Sequence, residues 1–461
     1  MSAQDTIIAL ASGAGRAAVA VIRISGARTR DVLDALCGAL PAPRHASLRR
    51  LHDPRSGALL DRGLVLWFPA PSSFTGEDMA ELQVHGSRAV IRETIDAALT
   101  VEGTRLAEPG EFARRAFENG RLDLTEVEGL ADLVNAETEA QRRQALAQAE
   151  GSLRTLYEGW RAELLKAQAL MEAGLDFADE GDVVADVAAK SEAIVAGLLQ
   201  SISHHLADRR GERLRDGFRV VIAGPPNAGK SSLLNALARR DVAIVSEEAG
   251  TTRDVIEVHL DLAGVPVLLI DTAGLREASG KVEAEGVRRA LARAEEADLV
   301  LWLVDATDPQ WTPPPGSRGS GSFPVSDAIS PQSDAISTQI TAIRALNKRD
   351  LVPLEMPVPE GVMAISAKTG AGLDLLLNIL EKHAISATSS DAGAPLLTRT
   401  RHRVELEAVR SALSRFMDKS LNPELKAEEL RVATRHLGRL TGHIDVEEML
   451  GAIFAEFCIG K

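Results

Sequence analysis

Alternation of apolar and polar positions near the N-terminus sets the first expectation. Residues 6–12 and 17–25 read as two short strands around the turn Gly13-Ala-Gly15, 64–68 and 80–85 as two more, and 29–36 and 87–99 as helices. Together they predict an α+β domain reaching to about Asn119. From Thr125 to about Leu214 the chain is rich in Ala, Leu, Glu and Arg and almost free of Pro, so helix is preferred throughout, with breaks expected at Gly151, Gly174 and Gly181. Residues 397–457 return to that character, interrupted at Asn422-Pro423. Each helical block has apolar positions that need cover. The two are expected to pair into one bundle, with the intervening segment inserted as a domain of its own.

Inside the insert the pattern changes. The apolar run ending at Gly224 is a strand, 255–262 and 265–270 form a hairpin around Ala263-Gly264, and 298–305 is a continuous apolar strand of the kind helices cover on both faces. Residues 307–338 are Ser-, Pro- and Gly-rich and repeat Ser-Asp-Ala-Ile-Ser at 326–330 and 333–337, which predicts disorder. In the N-terminal domain, Pro71-Ser-Ser-Phe-Thr-Gly-Glu-Asp78 is too polar for core and reads either as a binding loop or as a solvated surface loop.

Composition narrows the class. With 461 residues the chain needs two or three cores, and 45% apolar with 26% charged residues describes a soluble globular protein. A net charge of −14 excludes a chain whose main role is coating nucleic acid, while local basic patches stay open. Cys37 and Cys458 offer no disulfide or metal spacing, which fits a reducing cytoplasm. Charged residues interrupt the N-terminal apolar stretches, so neither an export signal nor a membrane span is indicated.

The chemistry is concentrated at Gly224-Pro-Pro-Asn-Ala-Gly-Lys-Ser231. A strand, this Gly-rich turn and a following helix make a P-loop, whose backbone N–H groups and helix N-terminus surround phosphates. Lys230 would neutralise the β/γ-phosphates and Ser231 would hold Mg²⁺. Downstream, Thr251-Thr252, Asp271-Thr272-Ala273-Gly274, Asn347-Lys348-Arg349-Asp350 and Ser366-Ala367-Lys368 follow in the order of a GTPase. Asp271 can hold the Mg²⁺ shell and Gly274 can approach the γ-phosphate. Asp350 can accept from guanine N1–H and the N2 amino group, an edge that adenine does not present. The residues expected to touch GTP are Asn227, Ala228, Gly229, Lys230, Ser231 and Ser232; Ser246, Glu247, Glu248, Ala249, Gly250, Thr251 and Thr252; Asp271 to Gly274; and Asn347, Lys348, Asp350, Ser366, Ala367 and Lys368. Leu275 stands where a water-orienting Gln is common, which leaves Glu277, Glu283 and Glu285 as candidates for that task.

These motifs, with Ser73-Phe-Thr-Gly-Glu-Asp78, Pro109-Gly-Glu-Phe112, Gly250-Thr-Thr-Arg-Asp254, Asp271-Thr-Ala-Gly-Leu-Arg-Glu277 and the tail Phe457-Cys-Ile-Gly-Lys461, give a chain that resembles the MnmE (TrmE) family of tRNA modification GTPases over nearly its whole length. The resemblance implies an α/β and α multi-domain fold. Its parts are an N-terminal α+β folate-binding and dimerisation domain (1–119), a helical bundle split in sequence (120–215 and 385–461) and an inserted Ras-like P-loop GTPase domain (216–384) with loop 307–338. It also implies a homodimer that works with an FAD-dependent partner in a hetero-oligomer. Together they add an aminomethyl or carboxymethylaminomethyl group to carbon 5 of the wobble uridine of tRNA, from a 5-formyl- or methylene-tetrahydrofolate. Arg23, Glu81, Arg121 and Lys461 match the folate positions, although the family pattern has Lys where this chain has Arg121. Mg²⁺ matches Ser231 and Thr252, and an activating K⁺ matches Asn227, Ser246, Glu248 and Thr251. Glu283 matches the water-orienting acid, and Cys458 falls either in a chemical role or in packing.

Two other classes compete with this one. A ribosome-assembly GTPase would carry an RNA-binding module, of which no Gly-x-x-Gly clamp or aromatic stacking sequence is visible, and a nucleotide-switch binding protein would hardly hydrolyse GTP. Arg399, Arg401, His402 and Arg403, with Arg431, Arg435 and Arg439 at helical spacing, read as a tRNA or partner contact or as a solvated face.

Overall fold

The computed structural model describes residues 5–13, 15–176, 181–244, 257–271, 297–308, 322–324, 339–389, 394–444, 450–451, 453–454, 457 and 460. They fall into two compact units, Met1–Ala131 with Gln148–Gln200 and Glu405–Lys461, and Asp132–Ala147 with Ser201–Val404.

The first unit begins with a six-stranded sheet of β1 (Thr6–Leu10), β2 (Val19–Ser25), β3 (Ser47–His52), β4 (Leu59–Phe68), β5 (Met79–His85) and β6 (Thr104–Leu106), ordered β3-β4-β5-β2-β1-β6. Helices α1 (Thr29–Cys37) and α2 (Arg88–Ala98) lie on one face. Ala20, Ile22, Ile24, Val65, Leu82 and Val84 alternate inward against Val32, Leu33, Leu36 and Ala97. Ser87 caps α2 by accepting from Val90 N at 3.3 Å. Sequence pattern missed β3 and β6. Arg49 and Arg50 disguise β3, whose edge position leaves only Leu51 fully buried.

Helix α3 (Glu111–Glu118) leads to α4 (Leu124–Asn135), which starts with a reciprocal capping box. Asp123 Oδ1 accepts from Glu126 N at 2.8 Å and Glu126 Oε2 accepts from Asp123 N at 2.7 Å. Helices α5 (Glu139–Ala149), α6 (Ser152–Asp176) and α7 (Gly181–Ala207) follow. The breaks at Gly151 and Gly181 stand at helix boundaries, but Gly174 lies inside α6. One Gly costs about 1 kcal/mol in a helix, too little to interrupt a strongly helical stretch.

The second unit contains α8 (Arg210–Asp216), β7 (Phe218–Ala223), α9 (Lys230–Ala238), β8 (Glu257–Leu262), β9 (Val265–Asp271), β10 (Leu299–Asp305), β11 (Ser322–Pro324), β12 (Gln339–Asn347), β13 (Val362–Ala364) and α10 (Leu373–Thr388). The sheet runs β11-β12-β10-β7-β9-β8 with β13 on β12. Strands β9, β7, β10, β12 and β13 are parallel, and β8 and β11 pair antiparallel. Leu233, Leu234 and Leu237 of α9 and Leu376 and Leu380 of α10 close over Val220, Ile222, Leu269 and Leu301. The expected hairpin is β8–β9, and Ala140 N of α5 donates to Gly264 O at its turn, 3.0 Å away. Of the segment 307–338, expected to be disordered, residues 309–321 and 325–338 lie outside the described residues; Thr307 N and Oγ1 donate to Asp305 Oδ1, and Ser322–Pro324 pairs antiparallel with β12.

Helices α11 (Thr400–Phe416) and α12 (Pro423–Thr441) complete the chain. Pro423 stands in the first turn of α12 and Asn422 Oδ1 caps it, accepting from Leu425 N at 2.9 Å. In the first unit α12 packs along α6, as expected for a bundle made from both flanks. Ile453, Phe454 and Phe457 join Ala113, Leu124, Val127 and Ala131 in one core.

Candidate functional site

In the second unit the parallel strands β7, β10 and β12 end side by side, Trp302 level with Ala223 and Asp305 level with Asn347. Open parallel sheets place ligands beyond such carboxyl ends. Gly224 follows β7 with φ +146°, and a Cβ there would stand 2.0 Å from Leu303 O. Gly229 has φ +90° and begins α9, and a Cβ would stand 2.4 Å from Asn347 Nδ2. Only glycine fits both, so the loop stays tight and its N–H groups converge at the head of α9.

The Lys230 ammonium curls back over this loop, donating to Gly224 O and Pro225 O, both at 2.9 Å. Burial pushes its pKa below the usual lysine range, with Asp271 opposing the shift. Ser231 Oγ donates to Asp271 Oδ2 at 2.7 Å, and Asp271 at the end of β9 is fully buried. A hydroxyl and a carboxylate that close fit the oxygen shell of Mg²⁺.

Of the residues expected to read guanine, Asn347 is tied to the P-loop. Asn347 Nδ2 donates to Ala228 O at 2.8 Å and its Oδ1 accepts from Ala367 N at 3.0 Å. Ser366 Oγ donates to Asp350 Oδ1 at 2.6 Å, leaving the exposed carboxylate's other oxygen directed by a fixed partner. Lys348 takes φ +63° and pairs with Asp305. Sequence reading missed Asp305, although a charged residue closing an apolar strand was a signal. Asn227, Ser232 and Lys368 are exposed at the same loops. Ser246, Glu247, Glu248, Ala249, Gly250, Thr251, Thr252, Thr272, Ala273, Gly274, Glu283, Cys458 and Lys461 lie outside the described residues.

The first unit holds a cavity of about 370 Å³ lined by Arg23, Arg44, Phe68, Ser72, Ser73, Phe74, Met79, Glu81 and Arg121. Arg23, Glu81 and Arg121, distant in sequence, therefore share one cavity. Arg23 and Glu81 face each other across β2 and β5 and pair at 2.9 Å. The Arg23 guanidinium also lies 5.4 Å from the Phe74 ring and 5.7 Å from the Phe112 ring and donates to Gly460 O at 3.4 Å. Phe74 lies in the loop read as a candidate binding loop, whereas Arg44, Phe68 and Met79 carried no sequence signal for this cavity, because only the fold brings them together.

The loop at 71–78 is not a loose surface turn. Ser25 Oγ meets Thr75 Oγ1 and Glu77 Oε2, each at 2.7 Å, and Asn119 Nδ2 donates to Thr75 O at 2.8 Å. Arg115 pairs with Glu77 at 3.0 Å and with Glu111 at 3.1 Å, and Arg105 reaches Glu111 too. Burial opposes the Glu111 charge, but both arginines and the Glu108 N–H hold its carboxyl below the usual range. The network fixes Ser73 and Phe74 in the cavity wall.

The basic residues of the helical segments divide in two. Arg399 pairs with Asp132 at 2.8 Å and Arg403 with Glu212 at 3.0 Å, so these two are internal supports of the second unit rather than a binding face. Arg435 is exposed, while Arg431 pairs with Glu172 and Arg439 approaches Glu405.

Residues 6–121 match the family model for the GTP-binding protein TrmE N-terminus, and 124–458 match that for the MnmE helical domain. A tRNA modification GTPase MnmE of Parvibaculum lavamentivorans is 53% identical over 99% of this chain and 100% of its own length. Those of Paramagnetospirillum magneticum and Rhodopseudomonas palustris are 52% and 50% identical, each over 99% of this chain and 100% and 99% of their own lengths.

Proposed function

The chain belongs to the MnmE family of tRNA modification GTPases and is a GTP hydrolase, and on that premise we propose a potassium-activated enzyme that modifies wobble uridines jointly with an FAD-dependent partner. The observation that carries the reading is the pairing of a complete P-loop frame with the cavity of Arg23, Glu81 and Arg121.

In the nucleotide site the N–H groups at the head of α9 and Lys230 hold the phosphates, with Ser231, Thr252 and Asp271 around Mg²⁺. Lys230 exchanges two carbonyl acceptors for phosphate oxygens, which stabilise the charge that burial opposes. Asp350, oriented by Ser366, reads guanine. Asn227, Ser246, Glu248 and Thr251 hold the potassium ion, and Glu283 orients the attacking water.

The cavity suits a tetrahydrofolate derivative, which supplies the one-carbon unit. Phe68 and Phe74 offer apolar surface to a planar ring, Glu81 accepts from ring N–H groups, and Arg23, Arg44 and Arg121 meet carboxylates. The sheet face that carries Arg23 and Glu81 continues into Leu48, 70% exposed, and its cross-strand partner Leu64, 38% exposed. That uncovered apolar face supports a homodimer through the N-terminal domain.

Two measurements test the proposal. GTP turnover should be strongly faster in potassium than in sodium, and Asn227→Lys should remove the difference. Mass spectrometry of tRNA nucleosides from a strain lacking the gene should reveal unmodified wobble uridine, restored on complementation. Equal turnover in the two salts removes the potassium site, and intact wobble nucleosides favour a ribosome-assembly role.

A further inference from the structure

Asp305 has no place in any nucleotide-binding motif, yet it stands at the centre of the base-reading end of the sheet. It is the last residue of β10 and lies level with Asn347, the last of β12. The two strand ends are stapled there by Ala306 N donating to Asn347 O at 2.8 Å. Thr307 donates to Asp305 Oδ1 twice, from N at 2.9 Å and from Oγ1 at 2.8 Å. The other oxygen, Oδ2, takes the Lys348 ammonium at 2.5 Å, with the two side chains 15% and 31% exposed. Burial works against the Asp305 charge, but Lys348 and Thr307 outweigh it and keep the carboxyl below the usual range.

Lys348 lies between Asn347 and Asp350 and has the left-handed φ of +63°, a conformation that a residue with a long side chain rarely adopts. A free lysine stem samples many rotamers, and ordering it on ligand binding costs on the order of 1–2 kcal/mol. Here the ammonium is already tied down by Asp305, so the four-carbon stem is held before a base arrives.

We propose that Asp305 is a positioning residue for guanine, acting through Lys348: Thr307 holds Asp305, Asp305 holds the ammonium, and the immobilised stem presents an apolar edge against which the base settles. The proposal rests on the reading of Asp350 as the guanine acceptor.

The test is equilibrium binding of GDP to the full-length protein, with steady-state GTP turnover beside it. Asp305→Asn should weaken GDP about tenfold, the loss of one charge-assisted contact. KM for GTP should rise in parallel while kcat changes less. Thr307→Ala, which leaves the carboxylate in place, should weaken GDP by about threefold, and it keeps the test open if Asp305→Asn folds poorly. Lys348→Met keeps an apolar stem and loses the ion pair, and adding Asp305→Asn to it should cause no further loss. GDP affinity within twofold of the parent in Asp305→Asn and Thr307→Ala, or additive losses in the double variant, would overturn the proposal. Asp350→Asn is the control for the underlying reading: if it too leaves GDP affinity unchanged, the guanine assignment fails rather than the role of Asp305.

Discussion

Asp123 shows how one side chain can do two opposed things. Its Oδ1 starts α4 by capping Glu126 N, while its Oδ2 is buried without a hydrogen-bond partner among the described residues. Burial raises its pKa from 3.8 to about 6, with the neighbouring Glu126 adding to the rise and Arg154 opposing it. The folded state then holds a proton more tightly than the unfolded chain, so its contribution to stability is full below pH 3.8 and is lost as pH rises to about 6. That interval corresponds to roughly 3 kcal/mol at most. Asp123→Asn keeps the cap and removes the charge. Thermal unfolding should find the variant more stable than the parent at pH 7–8, with the gap closing below pH 4; a gap that persists at pH 3.5 would show that the ionised form is not what burial opposes. The Asp-x-x-Glu spacing was legible in the sequence, but the missing partner of Oδ2 was not, since it depends on what packs around the helix start.

At the level of elements, the tail is the part whose position matters most. Gly460 has φ +98°, and a Cβ there would stand 2.1 Å from Leu10 O, so Gly460 packs directly on the end of β1, within reach of the Arg23 guanidinium. Gly460→Ala should push the tail off β1 and weaken binding of 5-formyl-tetrahydrofolate, read by calorimetry, by about tenfold or more, while GTP turnover stays near native. Unchanged folate affinity would detach the tail from the cavity. The loop at 71–78 makes the complementary case: its polar composition allowed a surface turn, and Ser25 of β2, Arg115 of α3 and Asn119 at the C-cap of α3 convert it into cavity wall.

For the whole molecule, the P-loop lies in one compact unit and the cavity in the other. Under the proposed function, a substitution at one should separate GTP turnover from wobble-uridine modification. Cys458→Ser should abolish wobble-uridine modification, read by nucleoside mass spectrometry, and leave GTP turnover and folate affinity near native. Normal modification by this variant would mean that the thiol only packs and that the one-carbon chemistry belongs to the flavoprotein partner. No helix among the described residues is long and apolar enough to cross a membrane.

What the sequence alone determined is what is local. The P-loop, the hairpin at Ala263-Gly264, the helical blocks and most of the central strands depend on residues within one turn or one strand of each other, so period and spacing suffice to find them. The tertiary structure decided whatever needed distant residues to meet. Phe68 and Met79 line a cavity with Arg23 only because β4, β5 and β2 pair in register, Arg44 joins them through its N–H to Trp67 O, and Asp305 meets Lys348 only because β10 and β12 end level. Arg399, read as a surface charge, became an internal one because Asp132 lies opposite it. Long-range pairing follows from burial and register summed over whole elements, and no short stretch of the chain carries that sum.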